Sequence, residues 1–222
     1  MDINGVPYIK NHIPYGTKKK RPGYKMDWQM ITVHDTANPD SRARGERNYL
    51  TNLNNPHEFT GWHICVDEKE AVEALPLNEV AWHANDGVYG DGNRKSIGVE
   101  ICLSGSRSKT LMNAAEVVTS LLREKGKTTK DLRQHYDWSK KNCPSILRAN
   151  NGKGWRDFLV TIESLLKNEE PNLLDAAVQT LAKEGIITSP EYWRANCETG
   201  RFVKGEFVAV LILKTAERLR KP

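Results

Sequence analysis

Residues 135–144, with the sequence HYDWSKKNCP, contain an imidazole, an ammonium and a thiol close together in the chain. Neutral imidazole and thiolate are ligands that a borderline-soft divalent ion such as zinc prefers. His135 and Cys143 therefore form half of a candidate zinc site, and Lys141 would bring a positive charge to its edge. The spacing alone equally fits a packed cysteine and a surface histidine, because it is not one of the C-x-x-C pairs that mark structural zinc.

His34 is the natural third ligand. Residues 28–33 include the apolar and β-branched run MITV, which predicts a strand, and His34 follows directly. Ligands of open α/β sheets collect beyond the carboxyl ends of strands, so a metal at this edge would meet His34. Taken alone, a histidine at a strand end is also consistent with an ordinary hydrogen-bonding group.

Glu100 is the most informative carboxylate. The strand predicted over residues 96–102 has Ile97, Val99 and Ile101 on one face, which leaves Glu100 on the other. A carboxylate in so apolar a segment is costly to bury unless a partner or a cation is near. A metal at the strand end would supply that cation.

The remaining pattern alternates strands and helices, which predicts an α/β fold. Further strands are predicted over 62–67, 70–75 and 131–134, the last delivering His135. Helices are predicted over 41–54, capped by Asp40 or Ser41, over 110–126, capped by Thr110, and over 155–166. Residues 1–167 would form this domain, 168–172 a linker, and 173–222 a small all-helical module.

Composition limits the broad class of protein. Of the 222 residues 38% are hydrophobic and 27% are charged, which is typical of a globular protein. No apolar run is long enough to span a membrane, so no membrane insertion is expected. The first residues lack an apolar signal region, which predicts a protein made in the cytoplasm without a signal peptide. The four widely spaced cysteines are expected to be free thiols.

The net charge of +5 is partly concentrated in a basic run at residues 18–21. Such a run favours an anionic partner, either nucleic acid or an acidic cell-wall polymer, although a solvated loop is its simplest explanation. No zinc-finger spacing supports nucleic acid, so we expect no nucleic-acid partner.

Five ordered blocks resemble the type-2 N-acetylmuramoyl-L-alanine amidases, zinc enzymes related to peptidoglycan recognition proteins and common among phage endolysins. The blocks lie at residues 31–34, 62–67, 81–84, 93–101 and 135–144. The resemblance covers roughly residues 10–167. It implies a central mixed β-sheet flanked by helices, and it implies that the zinc ligands are His34, His135 and Cys143.

The resemblance also implies the chemistry. Zinc in such a site would lower the pKa of a bound water to about 7. Glu100 would accept the proton of that water and pass it to the departing amine, while Lys141 and the zinc would stabilise the oxyanion. The bond cleaved would be the one that joins N-acetylmuramic acid to the L-alanine of the stem peptide in bacterial peptidoglycan. The protein would reach this substrate after its release from the cytoplasm.

Two parts of the chain remain open to alternatives. Groove-lining candidates are Trp82, His83, Asn93 and Arg94, although this loop could equally be packed over the sheet. The C-terminal helices resemble wall-binding appendages of endolysins in size and placement, and a homodimer through these helices or a purely stabilising role is also open. A non-catalytic peptidoglycan-binding protein is the main alternative function; in such relatives the thiol ligand is replaced, whereas Cys143 is present here.

Overall fold

The computed structural model describes residues 2–15, 19–52, 59–167, 173–197 and 201–219. It divides into two compact units, Met1–Lys167 and Asn168–Pro222. The expected linker, residues 168–172, lies outside the described residues.

One mixed sheet organises the first unit. Its strands, within the described residues, are β1 (Asp2–Ile3), β2 (Val6–Lys10), β3 (Met30–Asp35), β4 (Ile64–Val66), β5 (Ala71–Glu73), β6 (Ser96–Ile101) and β7 (Leu132–Gln134). The strand order is β1-β2-β5-β4-β6-β3-β7. The pairs β1 with β2 and β4 with β5 are antiparallel, and the other four pairs are parallel. The α/β fold with a central mixed sheet is thus confirmed.

The helices of the first unit are α1 (Ala43–Tyr49), α2 (Asp91–Lys95), α3 (Arg107–Glu124), α4 (His135–Ser139) and α5 (Ser145–Lys167). The helices of the second unit are α6 (Leu173–Lys183), α7 (Pro190–Asn196) and α8 (Gly205–Leu219). Helix α5 is interrupted by a non-helical stretch at Ala149–Gly152. Helices α3 and α5 pack together, whereas α1 contacts β4 and β5.

Side-chain alternation along the strands separates two apolar layers. Ile31, Val33, Ile97 and Val99 enter one cluster with residues of α3 and α5. Cys65 and Cys102 enter a second cluster with residues of α1. Since successive side chains of a strand point to opposite faces, His34 and Glu100 lie on the face opposite the first cluster. The predicted separation of Glu100 from Ile97, Val99 and Ile101 is confirmed.

Strand register brings the chemical groups to one edge. His34 of β3 pairs with Glu100 of β6, and Val33 pairs with Gln134 of β7. His135, the next residue after β7, therefore lies beside His34. Parallel pairing accounts for this convergence, because the carboxyl ends of parallel strands meet at the same edge of a sheet.

Two predicted helix caps are wrong. Helix α1 begins after Arg42 rather than after Asp40 or Ser41, because the Ser41 hydroxyl accepts a hydrogen bond from the Leu103 backbone N–H at 2.7 Å. Helix α3 begins at Arg107, and Thr110 is buried inside it. The predicted end of the first helix, near residue 54, is also wrong, because α1 ends at Tyr49 with Leu50 as its C-cap.

The second unit has a small core of its own. Val178, Ile186, Ile187 and Trp193 form a buried cluster, whereas the Phe202 side chain is 87% exposed. The three helices agree with the predicted all-helical module. Among the described residues no helix is both long enough and apolar enough to cross a membrane. All four cysteines are free thiols, as expected.

Candidate metal centre

Three buried side chains converge at the sheet edge. The potential ligand atoms of His34, His135 and Cys143 all lie within 4.8 Å of one another. Cys143 Sγ is 3.7 Å from His34 Nδ1. The structure therefore brings together the three residues that the sequence indicated as metal ligands.

Local backbone structure delivers each of these side chains. His34 is the second-to-last residue of β3, and His135 is the first residue of α4 directly after β7. The loop after α4 returns toward this helix, where the Tyr136 backbone N–H donates to the Cys143 carbonyl at 3.0 Å. Lys140 makes the reversal in the left-handed conformation, at φ 63°. Cys143 is thereby held against the end of β3.

Asp35 anchors the far side of this loop and is not among the site residues that the sequence indicated. Its carboxylate accepts hydrogen bonds from the Ser145 hydroxyl at 3.0 Å and the Ile146 backbone N–H at 2.8 Å. Cys143 lies two residues before Ser145, so Asp35 ties the chain that follows Cys143 to the end of β3, next to His34. A signal existed in the sequence, since an acidic residue adjoins the proposed ligand His34.

The donor atoms suit a metal ion. Both ring nitrogens of His135 are buried and make no hydrogen bond of normal geometry within the part of the chain that the structure describes. Buried polar atoms are nearly always partnered, and a metal ion would satisfy one of these two nitrogens. The Ala84 backbone, whose interaction with His135 raises the pKa of that imidazole, is available to the other. Burial lowers the pKa of His135 to about 4, which keeps its imidazole neutral and able to coordinate at neutral pH.

The thiol behaves differently from the imidazoles. Burial, and next the nearby carboxylate of Glu100, raise the pKa of Cys143 to about 12. The thiol of the metal-free protein is therefore protonated at neutral pH. A divalent cation reverses this balance, because a coordinating thiol is deprotonated outright.

Glu100 and Lys141 complete the candidate site. Glu100 Oε1 lies 3.9 Å from His34 Nδ1, and the Glu100 side chain is 13% exposed. Burial raises the pKa of Glu100 well above its ordinary value, and the negative charge of Glu46 raises it further. The exposed Lys141 acts against this shift, because its positive charge lowers the pKa of Glu100. The two predicted catalytic groups are therefore electrostatic neighbours.

Two of the predicted groove residues are buried and bonded within the chain. His83 Nδ1 lies 3.0 Å from His34 Nε2, and His83 Nε2 lies 3.1 Å from the Ser96 carbonyl oxygen. Asn93 Oδ1 accepts hydrogen bonds from the backbone N–H groups of His83 and Ala84, both at 2.8 Å. These contacts give His83 and Asn93 supporting positions beneath the site rather than positions on a groove wall.

The other two groove candidates are closer to solvent. Trp82 is half-buried and contacts the Tyr24 ring edge to face, with centroids 6.4 Å apart. The Arg94 guanidinium lies 4.9 Å from the centroid of the same Tyr24 ring. Trp82, Tyr24 and Arg94 therefore form one aromatic and cationic surface cluster.

A cavity of about 580 Å3 lies along α1. Its lining is mainly amide, hydroxyl and charged: Asn38, Asp40, Ser41, Arg42, Gly45, Glu46, Asn48, Tyr49 and Asn52. Glu46 connects the cavity electrostatically with the candidate site, because its charge is among the causes that raise the pKa of Glu100. The sequence predicts a helix here but gives no sign of the cavity.

Buried histidines predict an acid-labile fold. His63 accepts from the Gly98 backbone N–H at Nδ1 and contacts the Glu79 carbonyl through Nε2, and burial lowers its pKa to about 4. The folded state therefore binds a proton less readily than the unfolded state, whose histidine pKa is about 6.5. Stability from this group is present above pH 6.5 and is lost as the pH falls toward 4, by about 3 kcal/mol.

Urea unfolding of the chelator-treated protein at pH 7, 6 and 5 measures this loss. The His63→Asn variant keeps an acceptor near the Nδ1 position and cannot titrate. As the pH falls, we expect the unfolding free energy of this variant to decrease less steeply than that of the unmodified protein. The difference between the two slopes should be about 1.4 kcal/mol per pH unit. Parallel pH dependences for the two proteins would assign the acid lability to other groups.

The fold and the donor set together define a class, α/β proteins with a buried group of two histidines and a cysteine that could hold a metal ion. Residues 24–146 match the N-acetylmuramoyl-L-alanine amidase family. The chain belongs to this family, which confirms the family that the ordered sequence blocks indicated.

Individual relatives agree with this assignment. The chain is 39% identical over 171 residues to N-acetylmuramoyl-L-alanine amidase CwlA of Bacillus subtilis (strain 168), covering 75% of this chain and 60% of that protein. It is 42% identical over 144 residues to amidase XlyA of the same organism, covering 64% of this chain and 48% of that protein. The solved catalytic domain of XlyA superposes with a TM-score of 0.64 at 40% identity, covering 71% of this chain and 99% of the domain. The chain thus spans about half to three fifths of the length of these curated relatives.

Proposed function

We propose that this chain hydrolyses the amide bond between N-acetylmuramic acid and the L-alanine of the stem peptide in bacterial peptidoglycan. The observation that carries the proposal is the convergence of two imidazoles and a thiol within 4.8 Å, with the Glu100 carboxylate beside them. The names of the relatives, N-acetylmuramoyl-L-alanine amidases, supply the bond.

The proposed metal is zinc, held by His34, His135 and Cys143. Two neutral nitrogens and a thiolate form a donor set that suits zinc better than the hard cations magnesium and calcium, which prefer oxygen. Zinc in a site with three protein ligands supplies Lewis-acid polarisation and lowers the pKa of a coordinated water to about 7.

The protein side chains then handle protons and charge. Glu100 is the proposed base that accepts a proton from the attacking water and later gives it to the departing amine. Its raised pKa in the metal-free protein favours holding a proton, and a cation beside it would bring that pKa down. Lys141 is the proposed electrostatic partner of the oxyanion, since it carries a positive charge at the exposed edge of the site.

The substrate is proposed to lie over the face that carries α1. The polar lining of the 580 Å3 cavity is suited to the amide groups of a stem peptide, and Glu46 links this cavity to Glu100. Trp82 and Arg94 are proposed to contact the polymer from the surface cluster that they form with Tyr24.

The second unit is proposed to act at the cell wall, the place of action of the whole chain after its release. A wall-binding module would raise the effective concentration of the first unit at its polymer substrate. Self-association of the same helices is the alternative role.

Digestion of purified peptidoglycan with and without a chelator tests the proposed function. We expect new L-alanine amino termini, no new reducing sugar ends, and loss of the amino termini when the chelator is present. Activity should return when zinc is added back. Sedimentation with the polymer without any new ends would instead identify a binding protein, and new reducing ends would identify a glycosidase.

A further inference from the structure

A relay of hydrogen bonds extends from His34 into the protein interior. His34 Nε2 lies 3.0 Å from His83 Nδ1, and His83 Nε2 lies 3.1 Å from the carbonyl oxygen of Ser96. Both rings are buried, with 2% of His34 and 7% of His83 exposed. Water therefore has little access to either end of the His34–His83 contact.

The relay has only one consistent assignment of hydrogens when both rings are neutral. A carbonyl oxygen can only accept, so His83 must carry its hydrogen on Nε2. Its Nδ1 is then an acceptor, and His34 must donate to it from Nε2. His34 Nδ1 is left with a free lone pair, on the atom that faces Cys143 Sγ at 3.7 Å and Glu100 Oε1 at 3.9 Å.

We propose that His83 is a positioning residue that fixes His34 in the tautomer whose Nδ1 lone pair is ready to bind the metal. The inference rests on the metal-binding role proposed above for its effect on zinc, whereas the tautomer can be measured in the metal-free protein. Metal-ligating histidines characteristically donate their second ring N–H to a fixed acceptor, and loss of that acceptor typically costs about 10- to 100-fold in metal affinity or activity.

The surrounding residues hold His83 itself in one place. Asn93 Oδ1 receives the backbone N–H groups of His83 and Ala84, which fixes the chain that carries the imidazole. Gly98 of β6 lies directly beneath the ring, since a Cβ atom there would be 2.7 Å from His83 Cγ. These contacts are what a positioning role requires, because a ring free to rotate could not select the tautomer of His34.

A matched pair of variants separates this role from simple packing. In His83→Asn the side-chain oxygen occupies a place close to the former Nδ1, whereas His83→Leu has nearly the same branched shape and no acceptor. Both variants remove the donor to the Ser96 carbonyl, so this loss is common to them. Competition with a chromophoric chelator measures zinc affinity, and long-range proton–nitrogen NMR spectra of the metal-free proteins report the tautomer of His34.

We expect His34 to carry its hydrogen on Nε2 in the unmodified protein and in His83→Asn, and to populate both tautomers in His83→Leu. Zinc affinity should stay within about threefold in His83→Asn and fall about 10- to 100-fold in His83→Leu. Equal affinities in the two variants would overturn the proposal. So would a hydrogen on His34 Nδ1 in the unmodified protein, a result that needs no variant to fold. Failure of the unmodified protein to bind zinc would instead reject the proposed function, and the NMR result would still decide the tautomer.

Discussion

The Glu100→Gln variant is expected to bind zinc with nearly unchanged affinity and to lose about 10²- to 10⁴-fold in turnover on peptidoglycan. Glutamine keeps the size and shape of the side chain, so the neighbouring imidazole of His34 keeps its packing. An amide nitrogen or oxygen cannot take a proton from water at neutral pH. The loss therefore falls on the chemical step rather than on the metal centre.

The position of Glu100 makes this substitution a sharp test. Its carboxylate oxygen Oε1 is 3.9 Å from His34 Nδ1, which is too far for a direct hydrogen bond. The carboxylate is nevertheless close enough to accept a proton from a water molecule held beside His34. Release of L-alanine amino termini measures the rate, and chelator competition measures the affinity for zinc.

A matched control is available on α5. Glu163 is exposed and accepts a hydrogen bond from the Thr129 hydroxyl at 2.9 Å, which a glutamine oxygen also accepts. Glu163→Gln should keep full turnover and full zinc affinity. A Glu100→Gln protein as active as this control would show that the base lies elsewhere, whereas loss of zinc from Glu100→Gln would give the carboxylate a role in the metal centre itself.

The part of the site that lies on regular strands could be predicted from the sequence. Strand alternation assigns Glu100 to the face opposite Ile97 and Val99, and parallel pairing places the ends of β3, β6 and β7 at one edge. These two rules determine the positions of His34, Glu100 and His135 almost completely. Their convergence depends on backbone geometry that every residue of a strand shares.

The part of the site that depends on irregular loops could not be predicted in the same way. His83 and Asn93 belong to a segment whose polar groups suggest a binding surface, yet both side chains fold inward and bond within the chain. Whether such a side chain lines a groove or supports the site depends on individual contacts, such as that of Gly98 with the His83 ring. The periodicity of the sequence gives no information about contacts of this kind. Ser41 shows the same limit, because its hydroxyl serves Leu103 across the fold instead of its own helix.

Cys143→Ser is expected to weaken zinc binding by about 10²- to 10³-fold. Structural zinc sites with four ligands have apparent binding free energies of about 10–16 kcal/mol, which is about 2.5–4 kcal/mol for each ligand. A change of about 1.4 kcal/mol corresponds to a factor of ten in affinity. Chelator competition measures the affinity directly. Turnover should fall with zinc occupancy at limiting metal.

The metal-free fold should tolerate this substitution well. With its pKa raised to about 12, the Cys143 thiol is neutral in the absence of a cation, so serine replaces one small neutral group by another. The unfolding free energy of the chelator-treated protein should therefore change little. Zinc at 100 times the dissociation constant stabilises a folded protein by about 2.7 kcal/mol, and the variant should lose most of this increment at the same zinc concentration.

Cys197→Ser provides the control with identical chemistry, because Cys197 is an exposed free thiol of the second unit. It should bind zinc as tightly as the unmodified protein. A Cys143→Ser protein that retained the same affinity would place the zinc outside the group formed by His34, His135 and Cys143. A variant that bound zinc weakly but regained full turnover at saturating zinc would show that the thiolate retains the metal without contributing to its reactivity, which would leave Glu100 and Lys141 to account for the rate.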